Sequence, residues 1–207
     1  RWVDAVRERF LHAENEQVAV ADRAHVGAHL LTSREEKSRR RRGLAARHGV
    51  AATFLQATAE DLSAIPDASQ DVVFSAYALQ YVEHMERCFG HVHRVLRAGG
   101  LFVFSLDHPF WYCLAEDELR IEFSYFDTDY WYRWEQAGMK THPRIYQRQR
   151  TVGEWFRLLR GAGLEVLDIV EPEPVEEGSG LDWGGYYAPE RQRMVPATII
   201  WKSRKPE

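Results

Sequence analysis

Cysteine is scarce in this 207-residue chain: only Cys88 and Cys113 occur, and they form no C-x-x-C pair. Two thiols exclude a disulfide framework and a four-thiolate zinc site, and point to a reducing, cytoplasmic location. No apolar run approaches about 18 residues, so a membrane span is not expected. Positive charge is not in excess: 27 Lys and Arg face 31 Asp and Glu, for a net charge of −4. No global basic field therefore argues for a nucleic-acid partner. The densest basic run, Lys37-Ser38-Arg39-Arg40-Arg41-Arg42, has little aromatic or glycine interleaving and reads as a solvated helix face. No basic-then-apolar signal pattern opens the chain. Because the sequence begins at Arg1 rather than Met, its natural start is not expected to be shown.

What is present fits one domain over residues 1–207, since no internal repeat and no dividing linker occurs. Residues 1–16 carry Trp2, Val3, Val6, Phe10 and Leu11 at helical spacing. Residues 17–33 show a short alternation but no clear element. Residues 34–48 are strongly charged and run up to Gly49, a helix-stop signal. Beyond this point the pattern becomes regular. Strands are expected at 52–57, 71–76 and 101–106. Between the last two, Met85, Cys88, Phe89, Val92, Val95 and Leu96 share one helical face, which Gly99-Gly100 should close through the left-handed conformation. Thr151 and Glu154 have capping-box spacing and open a further helix. Strands at 164–171 and 194–203 follow, and their 22-residue link needs no helix, so they suit an antiparallel edge.

Apolar strands alternating with helices argue for an α/β, Rossmann-like, doubly wound sheet, mostly parallel, with a C-terminal antiparallel hairpin. In such sheets ligands bind beyond the carboxyl ends of the strands. That gives meaning to "LFVFSLDHPFW", where a buried-looking strand runs into Asp107, His108, Pro109, Phe110 and Trp111. Residues 107–150 read as an insertion, a lid or acceptor wall; ten of the chain's 26 aromatic residues lie between Phe110 and Trp134.

These stretches resemble a family. "GLAARHGVAATFLQATAEDL" (43–62), "DASQDVVFSAYALQYVEHMERCF" (67–89), "VHRVLRAGGLFVFSLDHPF" (92–110) and "TVGEWFRLLRGAGLEVLDIVEPEP" (151–174) are similar to the class I S-adenosylmethionine (SAM)-dependent methyltransferases, in their small-molecule branch. The resemblance implies a seven-stranded sheet ending in an antiparallel hairpin, SAM as cofactor, and methyl transfer to an O, N or C nucleophile of a small-molecule acceptor. One part is missing. The family's first strand ends in a glycine-rich turn, yet no G-x-G occurs before residue 100. The acid that should hold the ribose hydroxyls aligns with Leu31. A segment is therefore absent between roughly Gln17 and Thr32. Either residues are skipped there, or the chain is a degenerate copy that keeps the fold as a non-catalytic binding protein.

The resemblance implies that Thr58, Ala59, Glu60 and Asp61 edge the adenine, and that Ser75, Ala76, Tyr77 and Gln80 border the rest of SAM. A polar turn before a loop is the plainer reading of the first group. Tyr81, Asp107, Phe110 and Trp111 are expected to face the acceptor, although Tyr77 and Tyr81 equally suit core cover. His108, extended by Pro109 and titrating near neutrality, is the acid–base candidate; its alternative role is to lock a turn. His142 is a weaker candidate. His84, Cys88 and His91 share a helical face, but nothing completes a metal site. A nicotinamide-dependent oxidoreductase would need a G-x-G-x-x-G opening that is not here.

Overall fold

The computed structural model describes residues 17–22, 27–32, 42, 47, 51–115, 119–133, 144–174 and 188–207. The helix expected over 1–16, the charged stretch 34–48 apart from Arg42 and Arg47, and His142 lie outside them. The strands are β1 (Gln17–Asp22), β2 (Gly27–Thr32), β3 (Ala51–Gln56), β4 (Gln70–Ala76), β5 (Leu96–Asp107), β6 (Asp129–Arg133), β7 (Arg144–Arg148), β8 (Glu165–Val170) and β9 (Thr198–Arg204). The helices are α1 (Met85–Val95), α2 (Val152–Gly161) and the short α3 (Pro189–Gln192). Seven strands form one sheet in the order β3-β2-β1-β4-β5-β9-β8, and β6 and β7 form a separate hairpin.

The sheet is mixed, not mostly parallel. β2–β3 and β4–β5 are parallel neighbours, whereas β1 is antiparallel to both β2 and β4, and β9 to both β5 and β8. Connection length explains the difference. Four residues, 23–26, separate β1 from β2. A parallel crossover needs a dozen or more residues, usually including a helix. Gln17–Asp22 and Gly27–Thr32 therefore pair as two antiparallel strands, and β1 runs against its neighbours. β2, β3, β4, β5 and β8 still point one way, so their carboxyl ends share one edge. Gln17 reaches that edge opposite Ala76, and Thr198 reaches it opposite Asp107.

One face of the sheet carries the core. Val73 from β4, Phe102, Phe104 and Leu106 from β5, and Ile199 and Trp201 from β9 pack against Met85, Cys88, Phe89, Val92 and Val95 of α1 and against Trp155 and Leu159 of α2. The period-2 alternation of β5 and β9 meets the 3.6-residue stripe of α1 here. Phe89 sits edge-on to Phe102 with centroids 5.4 Å apart, and Phe104 stacks on Trp201 at 6.2 Å.

The helix ends differ in mechanism. α2 opens with the expected capping box between Thr151 and Glu154. It closes with the Leu164 N–H on the Leu159 carbonyl and the Gly163 N–H on the Arg160 carbonyl, Gly163 having φ +78°. α1, by contrast, stops at Val95, before the glycines expected to close it. The Ala68 and Ser69 N–H groups take the carbonyls of Arg94 and Val95, and Lys205 Nζ takes those of His93 and Leu96. Gly99 (φ +74°) and Gly100 instead shape a register shift between β4 and β5. A Cβ on Gly100 would meet the Arg97 carbonyl oxygen at 2.9 Å.

Candidate functional site at the carboxyl edge of the sheet

β4 hands the chain over at Tyr77, which adopts φ +48°. That conformation is unusual for a bulky residue and marks a turn held by its surroundings. The Tyr77 N–H donates to the Ser105 carbonyl (2.9 Å), and its hydroxyl shares a 2.6 Å hydrogen bond with Thr198 Oγ1. Its side chain therefore reaches from the end of β4 to the start of β9. Burial, with the nearby Asp107 charge, pushes the Tyr77 phenol up to about 12 despite the Thr198 hydrogen bond. It stays a neutral phenol across the physiological range.

Beside this turn lie two buried polar atoms that have no hydrogen-bond partner among the described residues. Ser75 is fully buried and its hydroxyl makes no hydrogen bond; Gln80 is 5 % exposed and its side-chain oxygen has no donor. A buried polar atom left unpaired costs about 1–3 kcal/mol. These atoms stand at the carboxyl edge of the sheet, where α/β folds bind ligands. Tyr81 turns away: its hydroxyl accepts from Gln147 Nε2 (3.0 Å) and ties the 3₁₀ turn Leu79–Tyr81 to β7.

The expected adenine edge is occupied differently. Asp61 accepts from the Ser63 N–H (3.0 Å), and the Ser63 side-chain and backbone hydrogen bonds hold its exposed carboxyl below its ordinary value. The Asp61 N–H closes a turn on the Thr58 carbonyl (3.1 Å); Thr58 is exposed and Ala59 packs on the core. Glu60 points at α1, where one carboxylate oxygen accepts the N–H groups of Glu83 (3.0 Å) and His84 (2.9 Å). It caps a helix entrance whose own N-cap, His84, makes no side-chain cap.

Beyond β5, Asp107 is buried and accepts from the Tyr112 hydroxyl at 2.7 Å. His108 is buried with both ring nitrogens engaged. Nδ1 lies 3.1 Å from the Phe110 N–H, and Nε2 lies 2.8 Å from Glu171 Oε1. The Phe110 N–H can only donate, so Nδ1 is the acceptor and the proton resides on Nε2, given to Glu171. Burial lowers the His108 pKa, against the opposing charge and hydrogen bond of Glu171. The His108 N–H and carbonyl bind Ala197 and Trp111. Phe110 is half-buried. Trp111 is fully buried against Leu114 and Ala197, with the Arg191 guanidinium 5.5 Å above its ring, so it packs a satellite core instead of facing an open wall.

His84, Cys88 and His91 do not converge. Cys88 faces the core, and burial pushes its thiol up to about 12. Among the described residues no group of three or more metal-binding side chains occurs. Sequence reasoning missed Glu171, Thr198, Tyr112 and Gln147. Glu171 and Thr198 follow and begin strands at the same edge, and strand ends were the signal that would have found them.

Residues 14–104 match the family model of a methyltransferase domain. A curated relative, an uncharacterized protein of Haemophilus influenzae, is 32% identical over 59 residues, 28% of this chain and 23% of that protein. The chain thus spans under a quarter of that relative. A Listeria monocytogenes structure described as a SAM-dependent methyltransferase is 22% identical, with a TM-score of 0.63, over 86% of this chain and 78% of that one. A SAM-dependent methyltransferase from Mesorhizobium loti is 24% identical (TM-score 0.57), covering 84% and 78%. The 1,6-didemethyltoxoflavin-N1-methyltransferase of Burkholderia thailandensis, solved with 1,6-didemethyltoxoflavin and S-adenosylhomocysteine, is 16% identical (TM-score 0.53), covering 86% and 60%. The family-model match covers residues 14–104, and the fold resembles that of solved SAM-dependent methyltransferases. Within the described residues no helix is long and apolar enough to cross a membrane.

Proposed function

We propose that this chain transfers the methyl group of SAM to an O, N or C nucleophile of a small-molecule acceptor. The observation that carries the reading is the pair of buried, unpartnered polar atoms, Ser75 Oγ and Gln80 Oε1, at the carboxyl edge. They fit a polar cofactor lying against the end of β4. The fit is one-sided, because the glycine turn expected of a first strand is absent and Leu31 stands where an acid is needed. SAM, when bound, supplies a methyl group already activated by positively charged sulfur. The chain then has to align donor and acceptor and exclude water, contributions that reach several kcal/mol.

Ser75 and Gln80 hold the cofactor in this reading, with Ala76 and the Tyr77 turn beside them and Thr58 and Ala59 at the adenine edge. Asp107 orients the acceptor, as a buried carboxylate between Tyr77 and Tyr112. The insertion 107–150, part of one domain, walls the acceptor through Phe110, while Tyr81, held by Gln147 of the insertion, braces the turn after β4. His108 is read as a positioning residue: with Nδ1 taken by Phe110 and Nε2–H by Glu171, it fixes the turn instead of removing a proton. A cytoplasmic setting without nucleic acid or membrane completes the proposal.

A second reading, a binding protein that keeps the fold without catalysis, is favoured by the inverted β1. Calorimetry with SAM and S-adenosylhomocysteine separates the two. Saturable binding that Ser75→Trp weakens at least about tenfold supports the enzyme. Absence of binding to either compound, with the fold intact, supports the second reading.

A further inference from the structure

A groove of about 400 Å³ is lined by residues of α1, α2 and the chain at the end of β7. Arg148, Arg150 and Arg157 line it, together with Glu86 and Glu154. The two acids differ in availability. Glu154 Oε2 already accepts the Thr151 N–H (2.7 Å) and hydroxyl (3.0 Å) in the capping box, so its charge serves the start of α2. Glu86 is exposed in the first turn of α1. The arginines differ in rigidity. Arg150 is 8 % exposed, its guanidinium 5.3 Å from the Trp155 ring centroid and 3.4 Å from the Val82 carbonyl oxygen. It is held in place before any ligand arrives. Arg148 and Arg157 are exposed and free to close over an occupant. The far end of the groove, at Leu158, Gly161 and Ala162, is uncharged.

We propose that this groove binds a small oxyanion-headed molecule with a short apolar tail, a phosphate ester or a carboxylate. A planar guanidinium fork matches either headgroup, and a preorganised arginine spends less entropy on each hydrogen bond. Trp155 fixes Arg150 in this way, and the two exposed arginines add charge around the same space. Leu158 and the small residues at the other end accept a tail without a polar partner. The groove is lined by none of the residues assigned above to the cofactor or the acceptor.

The test is calorimetric titration of the full chain with hexyl phosphate and with hexanoate at low ionic strength, where exposed charges are least screened. Saturable binding of one or both is expected, and the tighter one identifies the headgroup. The Arg148→Gln/Arg157→Gln double variant should bind about tenfold more weakly at unchanged melting temperature. Glu86→Gln should bind more tightly, because it removes a like charge from the wall. The proposal is overturned by absence of saturable binding at millimolar concentrations, by wild-type affinity in the double variant, or by weaker binding in Glu86→Gln.

Discussion

Glu60 separates what the family resemblance implies from what the structure shows. The resemblance puts it against adenine; the structure aims one of its oxygens at the N–H groups of Glu83 and His84, 3.0 and 2.9 Å away. Glu60→Ala removes a helix cap and orphans two donors. Lost caps cost about 0.5–2 kcal/mol, and the carboxylate near a helix N-terminus adds about 0.3–1 kcal/mol. Exposed water can rescue part of this, since Glu83 and His84 lie at the surface. A net loss of about 1–2 kcal/mol follows, or a drop of about 2–8 °C in melting temperature at this chain length. Glu60→Gln keeps an amide oxygen for the same two donors and should lose about 0.3–1 kcal/mol, the charge–dipole part alone. Thermal denaturation followed by circular dichroism measures both variants, and SAM titration runs alongside. If Glu60→Ala keeps its melting temperature but loses SAM binding, the capping argument is refuted and Glu60 belongs to the cofactor.

His108 makes a pH prediction. Burial lowers its pKa in the folded chain, so the unfolded chain binds the proton more readily. The stability attached to neutral His108 is full above about pH 7 and falls as pH drops through the ordinary imidazole range toward the folded value. His91 and His93 shift in the same direction, so the informative quantity is wild type minus His108→Gln, by urea denaturation from about pH 8 to 5; a pH-independent difference defeats the argument. Phe104→Ala, at the meeting point of Phe89, Trp155 and Trp201, should cost about 3–5 kcal/mol. A urea midpoint close to wild type would show that this cluster is not the core.

Legibility in the sequence followed the strength of local signals. β3, β4, α1 and α2 were readable because apolar periodicity and the Thr151–Glu154 pair are short-range patterns. The end of α1 was misread because its stop comes from Ala68, Ser69 and Lys205, which are distant in sequence. Residues 17–22 and 27–32 gave no element because their pairing partners are one another, β3 and β4; alternation over six residues is too brief to settle a strand alone. At the site, strand ends pointed to Ser75, Tyr77 and Asp107. They did not tell that Trp111 would be covered by Arg191, or that Glu171 would accept a hydrogen bond from His108 Nε2–H, since both contacts span more than 60 residues of chain.

The inverted β1 limits how the edge can be built. A first strand running with β4 would end at the carboxyl edge and deliver a turn there. Here Asp22, the end of β1, pairs with Gly27 near the opposite edge, and Gln17, its beginning, stands opposite Ala76. Backbone close to a cofactor at this edge must then come from the chain entering β1 or from the Tyr77 turn. The Tyr77 turn carries a side chain that reaches Thr198, which closes the end of β5 and partitions the edge. Ser75 and Gln80, with unpaired polar atoms, belong to β4 and the turn after it; Asp107 and Tyr112 belong to the end of β5 and the turn after it. Under the proposed function, the first pair would face the cofactor and the second the acceptor. That partition survives the loss of the glycine turn because it is built from β4, β5 and β9, whose relative register owes nothing to β1.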